Sequence, residues 1–354
     1  MADENATGGQ VGASAGLDVL SGRNGVISAS GTVGQRLLAS DFDINILRPC
    51  AVQASRDPGL AVNGTLLEDE WKLFDRTVQG VARERLPVVT DIIRRGLVMN
   101  LPNAMGVMDI QWERIKGDLV DAEVTISGLT EATKDRMEFE TVNMPVPLFH
   151  KEFFYNLRHL AAARRNGRQI DTDHAEVATR KVAELIENTL FNGLKIAGQN
   201  IYGLRTEPFR KTLSPTTSWL TASGDQIVSD VLKMIEKATA PGNNMEGPFT
   251  LYVSWGVGTR FGEDYKAGSD KTILQRLREI PGLADIQWTS RLQGGEALLV
   301  QLTSDVVQMI NGIQPTMVEW ESHGGFQHNF KVIAIMLPRV RSNGWQQSGI
   351  VQLV

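Results

Sequence analysis

The first 65 residues lack the regular spacing of apolar residues that a folded core requires. Residues 1–34 contain eight glycines and no aromatic residue, so they bury too little apolar surface to offset the entropy lost on ordering. Apolar and polar residues alternate at residues 41–47, which predicts a strand that adds to another surface. We interpret residues 1–65 as an arm; a tail without a role is the alternative.

A helical spacing of apolar residues begins at about Leu66. Four apolar residues recur at intervals of three and four: Trp71, Phe74, Val78 and Val81. Pro87 predicts the end of this helix or a kink, because proline lacks the backbone N–H that a helix interior needs. A second short helix is predicted over residues 88–95, with Gly96 ending it.

From about residue 97 the spacing shortens to two, the period of a strand with one buried face. Three stretches are predicted to be strands: residues 109–116, 122–127 and 137–144. A two-stranded ribbon is only marginally stable by itself in water. We therefore interpret residues 99–140 as a projecting ribbon that needs a partner surface.

The strongest helical pattern begins near Asp171. Six apolar residues share one face of this predicted helix: Ala175, Ala178, Val182, Leu185, Ile186 and Leu190. Thr172 or Asp173 is predicted to cap its start, and Gly193 ends the apolar pattern. Such a long amphipathic helix is suited to packing across a sheet.

Beyond residue 200, predicted helices and strands alternate in a compact pattern. Helices are predicted over residues 225–239 and 272–279. Short strands are predicted at residues 249–254, 286–288, 297–302, 306–310, 331–337 and 349–354.

The composition is that of an ordinary folded protein. Apolar residues make up 42%, charged residues make up 22% and the net charge is −5, which argues against a surface that is basic throughout but allows a local basic face. Cys50 is the only cysteine, so no intrachain disulfide or cysteine-based zinc site can form, which fits a reducing cytoplasm. The sequence has no apolar run long enough for a membrane span and no secretory signal at its start, so we expect a soluble protein.

No pattern of catalytic or ligand-binding residues rises above background. Residues 256–262 follow a predicted strand, but their glycine spacing misses the dinucleotide-binding pattern and lacks the lysine of a phosphate loop. None of the five histidines pairs at helical metal-ligand spacing, although His323 and His328 flank a predicted turn. Ser254 lacks the glycine context of a hydrolase nucleophile. We predict no catalytic, cofactor-binding or metal-binding residue.

Basic residues cluster at two places: Arg94 and Arg95, and Arg164, Arg165 and Arg168. Solubility and compensation of helix dipoles are sufficient reasons for such clusters. If the clusters face nucleic acid, they contact only backbone phosphates, because nothing near them offers a base-reading helix.

The order of these elements resembles the Hong Kong 97-like family, the major capsid proteins of tailed phages and the related encapsulin compartments. The resemblance covers roughly residues 66–354. Residues 66–75 look like the helix before the family's extended E-loop, and residues 99–140 look like the E-loop itself. Residues 144–153 resemble the strand that enters the peripheral P-domain.

Later segments follow in the same order. Residues 175–193, ending in Glu-Asn-Thr-Leu-Phe-Asn-Gly, are similar to the family's spine helix. Residues 247–254 resemble the strand of the axial A-domain, and residues 279–300 match the helix, loop and strand that come next.

The resemblance implies an α+β fold with an N-terminal arm, an E-loop ribbon, a P-domain with a long spine helix, and an A-domain. The implied boundaries are 1–65 for the arm, 66–98 for the N-terminal helix, 99–140 for the E-loop, 141–205 and 325–354 for the P-domain, and 206–324 for the A-domain.

The resemblance also implies a structural protein rather than an enzyme. Many copies, as hexamers and pentamers, would form an icosahedral shell around double-stranded DNA, in a virion assembled in the host bacterial cytoplasm. Further implied partners are a portal protein and decoration or scaffolding proteins, with no membrane and no cofactor. The residues expected between subunits are Ile110, Trp112, Arg114, Ile115 and Lys116. The residues expected to face DNA are Arg94, Arg95, Arg164, Arg165 and Arg168.

Two alternatives stay open. One is an encapsulin-type compartment that packages a protein cargo, although the long glycine-rich arm favours a phage capsid. The other is a cytosolic α/β enzyme whose active site the sequence does not reveal.

Overall fold

The computed structural model of the protein describes most of the chain after residue 67. The described residues are 68–116, 124, 126, 138–165, 172–196, 198–243, 245–266, 268, 270–342 and 347–354. The predicted arm over residues 1–65 lies outside them. Of the predicted strand over residues 122–127, only Val124 and Ile126 are described; neither lies in a strand and both are fully exposed.

The helices of this part of the chain, numbered in order, are α1 (Glu68–Arg85), α2 (Pro87–Arg94), α3 (Leu157–Arg165), α4 (Asp173–Asn192), α5 (Gly224–Thr239), α6 (Trp255–Arg260) and α7 (Ile273–Arg278). The strands are β1 (Val98–Asn100), β2 (Asp109–Lys116), β3 (Glu138–Pro145), β4 (Phe149–Asn156), β5 (Leu194–Ile196), β6 (Gln199–Ile201), β7 (Lys211–Leu213), β8 (Phe249–Ser254), β9 (Leu283–Thr289), β10 (Ala297–Gln301), β11 (Val307–Ser322), β12 (Gln327–Val340) and β13 (Ile350–Leu353). Short 3-10 turns lie at Ala104–Gly106 and His323–Gly325.

The first two helices confirm the apolar spacing and the break at proline. Pro87 stands at the start of α2, where its missing N–H costs no helical hydrogen bond. Phe74 of α1 is fully buried and stacks on Phe330 of β12, with ring centroids 5.8 Å apart. The start of α1 is therefore fixed against the turn end of the β11–β12 hairpin.

The long helix α4 begins two residues later than predicted and uses the predicted face. Five of its six apolar residues are buried, while Leu185 is 44% exposed. Thr172 occupies the N-cap position, but its side chain makes no capping hydrogen bond. Gly193 ends α4 with a φ of 69°, and an added Cβ would lie 2.3 Å from the carbonyl oxygen of Ile201. Only glycine fits this turn.

The first sheet holds the longest strands in the order β1-β11-β12-β4, with β1 parallel to β11 and the other pairs antiparallel. Helix α4 packs against β12 and β4, and α1 packs against α4 and β11. The sequence predicted only residues 306–310 and 331–337 of this hairpin. Polar residues such as Asn311 and Gln314 interrupt the apolar run of β11, so the full length of the strand was missed.

The second sheet has the order β7-β13-β10-β8-β9. All residues of β8 and β10 are buried, as expected for central strands between covered faces. Capping boxes start the two predicted helices that lie beside it, Ser223 with Gln226 for α5 and Thr272 with Gln275 for α7. Residues 256–262 contain most of α6 and the turn after it, which confirms a strand-to-helix turn at this point.

Helices and strands are thus mixed, which confirms the α+β class. The main hydrophobic core takes residues from both sheets, such as Ile333 of β12 and Leu298 of β10, and a second core lies on the other face of the second sheet. Strand β13 pairs within the second sheet, although the resemblance grouped residues 325–354 with the P-domain. The implied domain boundaries stay predictions.

A buried carboxylate joins α4 to α2. Glu187 is 2% exposed, and its Oε1 accepts a hydrogen bond of 3.2 Å from the backbone N–H of Val88 in the first turn of α2. The unpaired N–H groups of a helix start favour an anion there. Burial nevertheless raises the pKa of Glu187 to about 7, against the opposing influence of the Val88 and Val89 N–H groups and of Arg291.

This carboxylate predicts a pH-dependent stability. The pKa of Glu187 is higher in the folded than in the unfolded chain, so the folded state binds more protons between about pH 4.5 and 7. Its contribution to the free energy of unfolding is therefore fully present at low pH and is lost as pH rises through about 7. Glu187→Gln should remove this dependence, because its amide oxygen can still accept from Val88 without titrating. Urea unfolding of unassembled subunits between about pH 4.5 and 7 measures how the free energy of unfolding depends on pH.

Glu184→Gln, one turn earlier on α4, is the matched control, because the pKa of Glu184 is lowered rather than raised. An unchanged pH slope in Glu187→Gln would show that Glu187 does not titrate in this range.

Candidate assembly interface

The predicted ribbon is formed by β2 and β3, which pair antiparallel. The residues that face the body of the subunit stand opposite one another: Ile110 with Met144, Trp112 with Val142, and Arg114 with Glu140. The alternate positions are exposed, among them the polar Gln111 and Asn143. One face of the ribbon base thus lies on its own subunit.

This packing corrects the expected exposure of Ile110. Its side chain is only 8% exposed and belongs to the main hydrophobic core. Trp112 is partly buried against the same core, and the guanidinium of Arg339 lies 4.8 Å from the centroid of its indole ring. The subunit itself therefore covers Ile110 and part of Trp112, because both point inward from β2. A direct role of these residues between subunits stays a prediction.

Arg114 also has partners within its own chain. It forms an ion pair of 2.7 Å with Glu140, and its guanidinium lies 5.6 Å from the ring centroid of Phe209. Ile115 and Lys116 extend β2 by their backbones, while their side chains lie outside the described part of the structure.

Apolar side chains around the ribbon remain uncovered. Met108 is 80% exposed, Phe139 is 61% exposed, and Val124 and Ile126 are fully exposed. Covering such residues would stabilise a contact by about 25 cal/mol for each square ångström of apolar surface removed from water. Exposed apolar residues of this kind are suited to contact with another chain.

A cleft of about 480 Å³ lies between the ribbon and the end of β12. Trp112 and Asn143 line it from the ribbon, Tyr202 and Phe209 from the opposite wall, and Arg341 from the segment that follows β12. Aromatic rings and polar groups thus share one concave surface, as in sites that bind an extended peptide.

The floor of this cleft contains a second buried carboxylate. Glu207 is 2% exposed. Burial raises its pKa, while the hydroxyl of Ser342, the N–H of Phe209 and the charges of Arg114 and Arg210 act in the opposite direction. No sequence pattern pointed to this group, because two of its partners, Arg114 and Ser342, come from distant segments of the chain.

An exposed aromatic pair was also missed by the sequence. Trp255 and Trp288 are 57% and 39% exposed, and their ring centroids lie 5.9 Å apart. Trp288 lies flat on α6 at Gly258, where an added Cβ would be 2.4 Å from the indole. The two tryptophans are 33 positions apart in the sequence, and only the parallel pairing of β8 with β9 brings them together.

The predicted basic residues differ in their surroundings within the described structure. Arg95 is held by Asp91 at 2.8 Å and by Asp285 at 3.2 Å, so its charge is already compensated. Arg94 and Arg165 are exposed at helix ends. The side chain of Arg164 and all of Arg168 lie outside the described residues.

No group of three or more His, Cys, Asp or Glu side chains in the described ranges is placed to hold a metal ion. His323 is exposed at the hairpin turn, whereas His328 is buried and its Nδ1 lies 3.1 Å from Oε1 of Glu319. Within the described helices, none combines the length and apolar character needed to cross a membrane.

A family model described as "Family of unknown function (DUF6260)" matches residues 61–351. No curated protein sequence matches the chain.

Solved structures of shell proteins share the fold. A virus-like particle from Pyrococcus furiosus aligns with a TM-score of 0.54 and 17% identity, covering 79% of this chain and 98% of that chain. The capsid of Myoviridae phage XM1 aligns with a TM-score of 0.57 and 13% identity, covering 73% and 90%. The capsid of a native GTA particle aligns with a TM-score of 0.51 and 10% identity, covering 74% and 89%. At these identities the likeness shows the fold alone.

The packing of Trp112 predicts a cost within the subunit. Trp112→Ala should lower the free energy of unfolding by about 1–3 kcal/mol, because it removes a half-buried ring and the stacked Arg339 contact. Urea unfolding of unassembled subunits measures this. Glu113→Ala, on the exposed face of the same strand, should change stability by no more than about 0.5 kcal/mol. Equal stability of Trp112→Ala and the parent would contradict the inward packing.

Proposed function

The chain belongs to the Family of unknown function (DUF6260) and has the Hong Kong 97-like fold, and from this premise we propose that it is a structural shell subunit. Many copies self-assemble into a closed particle. The chain acts through contacts between copies and not through a catalytic site.

The observation that carries the proposal is the extent of the shared fold. The alignment covers nearly the whole length of two proteins whose structures are a virus-like particle and a phage capsid, 98% and 90% of those chains. A fold by itself does not establish function. The uncovered apolar residues around the ribbon add a physical reason for contacts between copies.

Such contacts need not be strong individually. A subunit in a closed shell meets several neighbours, so modest contacts repeated by symmetry give a stable particle. Weak single contacts also let a wrongly placed subunit detach before the shell closes.

We further propose that the shell is a phage capsid that encloses double-stranded DNA. The long glycine-rich arm supports this choice over a cargo compartment. Arg94 and Arg165 are exposed at helix ends and are suited to non-specific phosphate contacts. Portal, decoration and scaffolding proteins would be its partners in a virion. A compartment with a protein cargo is the second candidate, favoured by the likeness to the virus-like particle.

The first test is electron microscopy of the protein expressed alone. We expect closed icosahedral particles. A uniform population of small oligomers with no closed particles would contradict a shell function. If particles purified from the natural host protect DNA from nuclease, the capsid is supported; if they contain one defined protein and no DNA, the compartment is correct.

The second test removes the tip of the ribbon and keeps its base. Lys116 and Glu138 stand directly opposite each other, so an Asn-Gly turn can replace residues 117–137. We expect a folded subunit that has an unchanged free energy of unfolding but no longer forms closed particles. As a control, a glycine-serine linker of the same length replaces residues 117–137. This variant loses the side chains but keeps the length of the ribbon, so it shows which of the two assembly needs. Intact particles from the shortened variant would show that the tip is dispensable.

A further inference from the structure

Three buried polar atoms where α4 meets the second sheet have no hydrogen-bond partner among the described residues. They are Oε2 of Glu187 on α4, the hydroxyl oxygen of Tyr252 on β8 and Nε of Arg291, which follows β9. Buried polar groups in folded proteins are nearly always hydrogen-bonded, either to the protein or to ordered water. Three such atoms in one region therefore point to a common partner.

Packing places Glu187 and Tyr252 in the same interior layer. Phe191 lies four positions after Glu187, so both side chains project from one face of α4. The ring of Phe191 meets the ring of Tyr252 edge to face, with centroids 6.0 Å apart. Glu187 is 2% exposed and Tyr252 is fully buried. Both polar ends thus lie between α4 and β8, out of contact with bulk solvent.

Electrostatic effects show that all three groups lie close together. Burial raises the pKa of Glu187, and the charge of Arg291 acts in the opposite direction. Burial also raises the pKa of Tyr252, and the charge of Glu187 adds to this increase. Such effects fall off with distance, so they require neighbouring groups. Because none of the three atoms bonds directly to another, a small bridging molecule fits the arrangement better than direct contact.

Other charged side chains near this group already have partners. Asp91 and Arg95 of α2 and Asp285 of β9 also act on the pKa of Tyr252. Arg95 pairs with Asp91 at 2.8 Å and with Asp285 at 3.2 Å. By contrast, Oε2 of Glu187 accepts no hydrogen bond from a described residue. Glu187 is therefore the acid of this cluster that a bridging molecule would serve.

We propose that one internal water molecule lies among Glu187, Tyr252 and Arg291, hydrogen-bonds to all three and so joins α4 to the second sheet. Buried waters typically make about three hydrogen bonds to groups that lack another partner, and three such atoms are available here. The proposal concerns the subunit itself and does not depend on the shell function.

The water can serve both charge states of Glu187. When Glu187 is ionised, the water donates to Oε2 and accepts from the O–H of Tyr252 and from Nε–H of Arg291. When Glu187 is protonated, its Oε2–H donates to the water, which now donates to the oxygen of Tyr252 and still accepts from Arg291. Two hydrogen bonds reverse their direction and none is lost. Glu187 can thus exchange its proton inside the protein, which a contact with a single fixed donor would not allow.

A structure at a resolution that shows ordered waters tests the site directly. We expect a peak within hydrogen-bond distance of Glu187 Oε2, the Tyr252 hydroxyl and Arg291 Nε. A map that shows other buried waters but none at this place would overturn the proposal. A direct hydrogen bond between Glu187 and Tyr252, or a water that bridges Tyr252 to Asp91 instead, would overturn it as well.

The variant Tyr252→Phe tests the site in solution. The contribution of Glu187 to stability is present at low pH and is lost as pH rises through about 7. In Tyr252→Phe this loss should occur at a pH higher by about half a unit or more, because the ionised carboxylate loses the O–H that supports its water. Urea unfolding of unassembled subunits at several pH values measures the shift.

Tyr202→Phe is the matched control, because it removes a tyrosine hydroxyl from a half-exposed side chain elsewhere and should leave the pH dependence unchanged. The second control places Tyr252→Phe in a Glu187→Gln background, where no shift should occur. The same pH dependence in Tyr252→Phe and the parent, or an equal shift in the Glu187→Gln background, contradicts the bridge. If Tyr252→Phe does not fold, the map of the parent protein decides alone.

Discussion

The pairing of β11 with β12 is the contact on which the rest of the subunit depends. Each strand is long enough to span the first sheet, and α1 and α4 are held against it. Backbone groups along such a hairpin need partners on both outer sides. The outer strands β1 and β4 are shorter, so they complete only part of each edge. Within the described residues, the last part of β12 therefore has a strand partner on one side only, β11.

The described residues of the ribbon fall into two groups, those that pack on the subunit and those that are exposed. Its base is covered by the body, with Ile110 in the core and Arg114 paired with Glu140. Phe139 and the two described residues near the tip stay exposed. The residues of the ribbon that pack on the subunit are therefore different from its exposed apolar residues.

The two carboxylates that burial perturbs, Glu187 and Glu207, each touch backbone N–H groups of their own chain and hold segments together. Perturbed groups of this kind accompany structural joints as well as active sites. Their positions favour joints, because Glu187 accepts from Val88 at the start of α2 and Glu207 accepts from the N–H of Phe209 on the floor of the cleft.

The sequence by itself determined helices α1, α2, α4, α5 and α7, the central strands and the base of the ribbon, because each depends on a local period of apolar residues. It did not predict helix α3, and the α+β class followed from the resemblance of the order of these elements to a known family. It also predicted that the glycine-rich start has too little apolar surface for a core, a prediction that lies outside the described residues. Only the tertiary structure decided the length of β11, the burial of Ile110, the pairing of Arg95 with Asp285 and the meeting of Trp255 with Trp288. These depend on which distant segments come into contact, and a local period contains no information about that.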